Sequence, residues 1–104
     1  MTDLHRRSPV SLEEVRNHRA EIVEIAERHG VQNIRIFGSV ARGEADKASD
    51  LDLLVDVLPG HGLLALSAFA GEVEERLNVV IQVATVNGLK PRIRERVIAE
   101  SVPV

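Results

Sequence analysis

The chain has no cysteine, no tyrosine and no tryptophan, and its 104 residues include only two phenylalanines and one methionine. Without cysteine there are no disulfides and no thiolate metal sites, which suits a reducing cytoplasm. No apolar run approaches the roughly 18 residues of a membrane span, and the opening "MTDLHRRSPV" lacks the apolar centre of a signal peptide. Strong charge of either sign is also missing. A net charge of -3 and a pI near 5.8 speak against direct nucleic-acid binding. The length points to one domain spanning residues 1–104, with no room for a second substrate-holding domain. A 44% hydrophobic content supplies a real but small core.

What is present reads as alternating helix and strand. "SLEEVRNHRAEIVEIAERHG" opens with Ser11 and carries Glu14 three residues on, the pattern of a capping box. Leu12, Val15, Ile22, Val23 and Ala26 then recur at helical spacing, interrupted by Arg19, until Gly30 ends the helix. "VQNIRIF" is a short strand with Ile34 and Ile36 on one face, and "LDLLVDV" a second strand stopped by Pro59-Gly60. Leu63 to Leu77 predicts a helix burying Leu63, Leu66, Ala70, Val73 and Leu77. "NVVIQVATV" is β-branched almost throughout, hence a third strand, broken by Asn87-Gly88. Pro91 suits the first turn of a last helix, "PRIRERVIAES". The expected fold class is α+β, α/β-like: a small mixed sheet of about three strands flanked by helices.

The chemistry concentrates in "FGSVARGEADKASDLDLLVD", residues 37–56. Gly38-Ser39 directly follows the first strand. A glycine there permits positive φ and close approach, and the serine offers a hydroxyl and an N–H at a helical start, a ready anion site. Arg42 adds a fixed positive charge, which either touches phosphate or caps the loop, and Gly43 a second flexible point. Asp50 and Asp52 stand two apart on the second strand, so both project to one face while Leu51, Leu53 and Val55 face the core. Two carboxylates on one face repel each other unless a cation lies between them. Magnesium takes oxygen ligands and commonly combines one or two carboxylates with substrate phosphates. A phosphate cradle beside such a pair suits phosphoryl or nucleotidyl transfer. The plainer alternative, two aspartates on a solvated sheet face, leaves the Gly-Ser turn unexplained.

This segment matches the G-S-x10-D-x-D signature of the polymerase-β-like nucleotidyltransferase superfamily, and "GSVARGEADKASDLDLLVD" closely resembles the minimal nucleotidyltransferases. The ending "NGLKPRIRERVIAESVPV" is similar to that family's as well. The resemblance implies a nucleotidyltransferase core, ATP as substrate and Mg2+ as cofactor. It also implies an antitoxin role, with AMP transferred to a tyrosine hydroxyl of a HEPN-domain toxin. On matching positions, Gly38 and Ser39 would hold the triphosphate, and Asp50 and Asp52 would ligate metal. In one respect the chain departs from the pattern. The superfamily usually carries a third carboxylate on the next strand, where this chain reads "VIQVAT" and has Gln82. An amide oxygen can ligate metal but cannot take a proton. If the missing aspartate were the base, the loss would be about 10²–10⁴-fold in rate. Asp56 shares the aspartate face but stands about 13 Å from Asp52 and is not favoured as a substitute.

Other polar residues have ordinary readings. His5, His18, His29 and His61 are scattered without ligand spacing, and Glu44 and Asp46 sit in a solvated loop. Lys90, Arg92, Arg94 and Arg96, interspersed with Glu95 and Glu100, read as a solvated helix or as a contact for an acidic partner or RNA. The expectation is thus an Mg-dependent protein adenylyltransferase working as an antitoxin. The alternatives are a weak or inactive antitoxin that neutralises its toxin by binding alone, and transfer to a small molecule such as an aminoglycoside. Since the chain has no tyrosine, tyrosine chemistry would require a partner as acceptor.

Overall fold

The computed structural model describes Arg6 and residues 8–104; His5 lies outside the described residues. Five helices and four strands follow in the order α1 (Leu12–Asn17), α2 (Arg19–Arg28), β1 (Val31–Phe37), α3 (Gly38–Arg42), β2 (Leu51–Val57), α4 (Leu63–Leu77), β3 (Ile81–Ala84), α5 (Pro91–Glu100) and β4 (Val102–Pro103). The sheet is mixed, in spatial order β3-β2-β1-β4. β1 pairs antiparallel with β2 and with β4, whereas β2 and β3 run parallel. The α+β class with a small mixed sheet therefore holds, with four strands rather than three. The fourth consists of two residues, one of them proline, and no periodicity can signal so short a strand.

The first helical segment is two helices. Ser11 does cap the start, its hydroxyl accepting the Glu14 N–H at 3.0 Å. At His18 the backbone leaves helical geometry (φ -98°, ψ 12°), and a second helix restarts from its carbonyl. Asn17 and His18 are weak helix formers. The arginines flanking them, Arg16 and Arg19, reach the carbonyl oxygens of Pro103 and Val104, so the break also fastens β4. The restart brings Ile25 into the core beside Ile22 and Ala26 and leaves Val23 partly exposed.

One apolar cluster fills the side of the sheet covered by α2 and α4, with Leu51, Leu53 and Val55 of β2 at its centre. Leu54 is fully buried outside that cluster, on the aspartate face of β2, and Val97 of α5 is likewise buried outside it. Along α4 the buried residues are Phe69, Val73 and Leu77, with Leu66 and Ala70 partly covered. Leu63, expected inside, is 79% exposed, and Leu64 is 88% exposed. Length explains this. A helix of fifteen residues is about 22 Å long, whereas the four residues of β3 span about 13 Å, so the first turn of α4 overhangs the sheet. Periodicity reports the angle of a residue around a helix and says nothing of its height along it.

The third strand is shorter than "NVVIQVATV" suggested. Asn78 takes a left-handed conformation to end α4, and the turn at Thr85 to Gly88 closes through the Thr85 hydroxyl. No helix among the described residues is long and apolar enough to cross a membrane. Truncating a fully buried aromatic typically costs about 3–5 kcal/mol, whereas exposed positions tolerate change within about 0.5 kcal/mol. Urea unfolding should therefore find Phe69→Ala destabilised by roughly that larger amount and Leu63→Ala close to unchanged. Equal costs at both positions would refute this packing.

Candidate active site

Strand register assembles the site. In the antiparallel pair Phe37 stands opposite Asp52, and in the parallel pair Gln82 stands on its other side. The chain leaves β1 at Gly38 and turns at once into α3, so the Gly-Ser turn meets the aspartates at one edge of the two strands. Gly38 has φ +74°, a left-handed value that disfavours side chains. A β-carbon added there would lie 2.2 Å from Oδ2 of Asp52. The glycine is thus required twice, for its backbone angle and for the carboxylate resting against its Cα. Gly43, at φ +71°, ends α3, and the space beside it is open.

Asp52 and Asp50 are both partly buried, and Asp50 immediately precedes the strand. Burial pushes the Asp52 carboxyl up to about 6; Asp50 and Glu100 add to the rise while Arg42 opposes it. An ionised Asp52 is therefore held against desolvation and against like charge. Gln82 faces the aspartates as its alternation required, and its side-chain Nε2 donates to Oδ2 of Asp50 at 3.1 Å. Asp56 is engaged elsewhere, accepting from the Asn33 amide at 2.9 Å and pairing with Arg35. Asp46 closes its own loop through Ala48 and Ser49 and is not merely solvated.

Glu100, read from the sequence as part of a solvated helix, belongs to this site. Its Oε2 accepts the Gly38 N–H at 3.1 Å and its Oε1 accepts from Nη1 of Arg42 at 2.6 Å. Burial alone would raise the Glu100 carboxyl, but the bonds from Arg42 and from the Gly38 N–H outweigh it and hold the group below its ordinary value. Arg42 also donates to Glu44 at 3.1 Å, so its guanidinium is shared between two carboxylates. No local signal could have revealed Glu100, because 62 residues separate it from Gly38.

Among the described residues the histidines lie apart from the site. His18 marks the α1–α2 break, His29 bonds to Glu72, and the His61 ring lies against Gly30. Among the described residues no group of three His, Cys, Asp or Glu side chains could hold a metal. The site instead carries two carboxylates, with the Gln82 amide beside them donating to Asp50. That composition suits a magnesium ion completed by phosphates and water.

A family model described as a nucleotidyltransferase domain matches residues 16–104. A Methanocaldococcus jannaschii protein provisionally named a protein adenylyltransferase is 39% identical over 84 residues, 81% of this chain and 90% of that protein. Protein adenylyltransferase MntA of Thermococcus cleftensis is 37% identical over 81 residues, 78% of this chain and 82% of the relative. A solved structure provisionally described as a minimal nucleotidyltransferase has a TM-score of 0.81 and 41% identity, covering 91% of this chain and 97% of that one. The crystal structure of a toxin-antitoxin with AMP-PNP has a TM-score of 0.67 at 17% identity, covering 81% of this chain and 69% of that one, a likeness of fold.

The raised carboxyl has a consequence for stability. Unfolded, Asp52 titrates near 3.8; folded, near 6. Between those values the folded chain keeps a proton that the unfolded chain has lost, so this group's contribution to stability falls as pH rises from about 4 to about 6. Without divalent cations, Asp52→Asn should melt a few degrees above the parent at pH 8 and nearly with it at pH 3.5. Thermal melts at the two pH values check this; an Asn variant no more stable at pH 8 would contradict it.

Proposed function

The chain belongs to the nucleotidyltransferase domain family, and from that premise we propose that it is an antitoxin-type protein adenylyltransferase. In this reading it transfers AMP from ATP to a tyrosine hydroxyl of a partner HEPN-domain toxin and thereby silences it. The observation that carries the reading is the Asp52 carboxylate against Gly38 at the start of α3, with Asp50 alongside. The turn that would receive the triphosphate and the carboxylates that would hold the metal are there side by side, as a metal-bound triphosphate requires. The relatives named protein adenylyltransferase support the reaction class, and the resemblance to minimal nucleotidyltransferases implies the partner.

In the reaction the acceptor oxygen bonds to the α-phosphorus of ATP, the bond to pyrophosphate breaks and the hydroxyl proton leaves. The Gly38–Ser39 turn would receive the triphosphate through the serine hydroxyl and backbone N–H, with Arg42 and Gly43 closing the far end of α3. Asp50 and Asp52 would hold Mg2+, with the Gln82 oxygen a weaker third donor. When bound, magnesium offsets the charge of the carboxylates and of the phosphates. Gln82 stands where the superfamily usually has a carboxylate, and an amide at that position cannot take the hydroxyl proton. The acceptor must come from a partner, because this chain has no tyrosine.

Gln82 also favours a second reading, an antitoxin that neutralises its toxin by occupancy and keeps a residual nucleotide site. Incubation with labelled ATP, Mg2+ and the protein encoded beside it separates the two. Label on the partner, lost by at least about 10²-fold in Asp52→Asn, is the expected result. A stable complex with no label anywhere would establish occupancy instead. Restoring the carboxylate with Gln82→Asp should raise the transfer rate by about 10²-fold or more if a base is what the site lacks. Equal turnover would show that no base is needed at that position.

A further inference from the structure

The five residues of α3 carry the glycine and serine of the proposed phosphate cradle, yet so short a helix has little stability of its own. Its placement must come from outside: Val40 is buried in the core and holds the middle of the helix, and one side chain holds both ends. Oε2 of Glu100 accepts the N–H of the first residue, Gly38, at 3.1 Å. Oε1 accepts from the guanidinium of the last residue, Arg42, at 2.6 Å. We propose that Glu100 is a positioning residue for nucleotidyl transfer. Its carboxylate staples the two ends of α3 and fixes the Gly38–Ser39 turn in the orientation that receives the triphosphate. This role rests on the nucleotide-binding reading given above.

The staple has a firm base. Glu100 is the last residue of α5, and Val102 two residues on pairs with Ile36 in β1. The Val104 N–H donates to the Ile34 carbonyl at 3.2 Å. The backbone that carries Glu100 is therefore anchored to the strand from which α3 springs. The side chain itself is only 19% exposed, whereas Arg42 is 46% exposed. An acid beside a site for a polyanion opposes binding unless its charge is answered. Arg42, which Glu44 shares, offsets part of that charge, so whatever Glu100 adds to binding must be geometric.

The arrangement needs two acceptor oxygens at the reach of a glutamate. Glutamine has one acceptor and turns an NH2 group toward the other donor. Aspartate is one methylene short of spanning both. Alanine leaves both donors unmet.

The test compares the binding of Mg-ATP and of AMP by calorimetry, in the full chain and in Glu100→Gln, Glu100→Asp and Glu100→Ala, with circular dichroism confirming the fold of each. Losing a charge-assisted bond in the staple should weaken ATP affinity about tenfold in the Gln and Asp variants and further in Ala. AMP affinity should change less than about twofold, since AMP lacks the phosphates that meet the turn. This selective loss separates positioning from a general loss of structure, which would weaken both ligands together. If Glu100→Ala does not fold, the Gln and Asp variants carry the comparison. An unchanged ratio of ATP to AMP affinity in the folded variants would overturn the proposal and leave the nucleotide reading standing. A parent chain that binds no Mg-ATP would overturn that reading, and this role with it.

Discussion

The missing β-carbon of residue 38 is the constraint on which the site depends. The Asp52 carboxylate occupies the space that carbon would fill, so β2 and the start of α3 come closer than any side chain would allow. That approach fixes the geometry on both sides. Toward β2 it aligns the face that carries Asp50 and Asp52, and toward α3 it sets where the N–H groups of a short helix can point. Register then does the rest. Phe37 opposite Asp52 brings the end of β1 to the aspartates, and Gln82 abreast of Asp52 brings β3 to them. Three elements meet at one point because the strand pairings leave them no other place.

Much of this was legible in the sequence, and the residues show why. Asp50 and Asp52 amid leucines conflict with the apolar pattern around them, and local conflicts of that kind mark functional positions. Gly38-Ser39 was readable because turn chemistry is local. The fold class followed from the alternation of helical and strand periods. What escaped notice was of another kind. Leu63 has the angle of a core residue around α4, although exposure there depends on how far the helix runs past the sheet, and Phe69, fully buried, was not among the residues expected inside. β4 is too short to show a period. Glu100 sits in a helix rich in arginine whose local pattern is that of a solvated surface. Its role exists only because α5 returns to the end of β1, a fact of tertiary structure alone.

The charges of the site form a graded series. Asp52 is held against its inclination to take up a proton, whereas Glu100, a short way off, is held ionised by its two donors. Arg42 acts on both, pairing with Glu100 and opposing the rise at Asp52. The result is one carboxylate held ionised by its donors and one pushed toward its protonated form. A protein with a net charge of only -3 can thus present a concentrated negative centre without the rest of its surface being acidic.

The two-residue length of β4 bears on how the molecule behaves among copies of itself. β4 covers β1 only at Arg35 and Ile36, so the first half of β1 would be a bare strand offering unpaired amides to a neighbour. The register of β1 slips between Gln32 and Arg35, and within that slip Asn33 takes φ +52°. A strand that bends and bulges makes a poor template for another strand. The proline in β4 removes a donor from the outermost edge as well. The bend in β1 and the proline of β4 therefore make this edge of the sheet a poor partner for another strand.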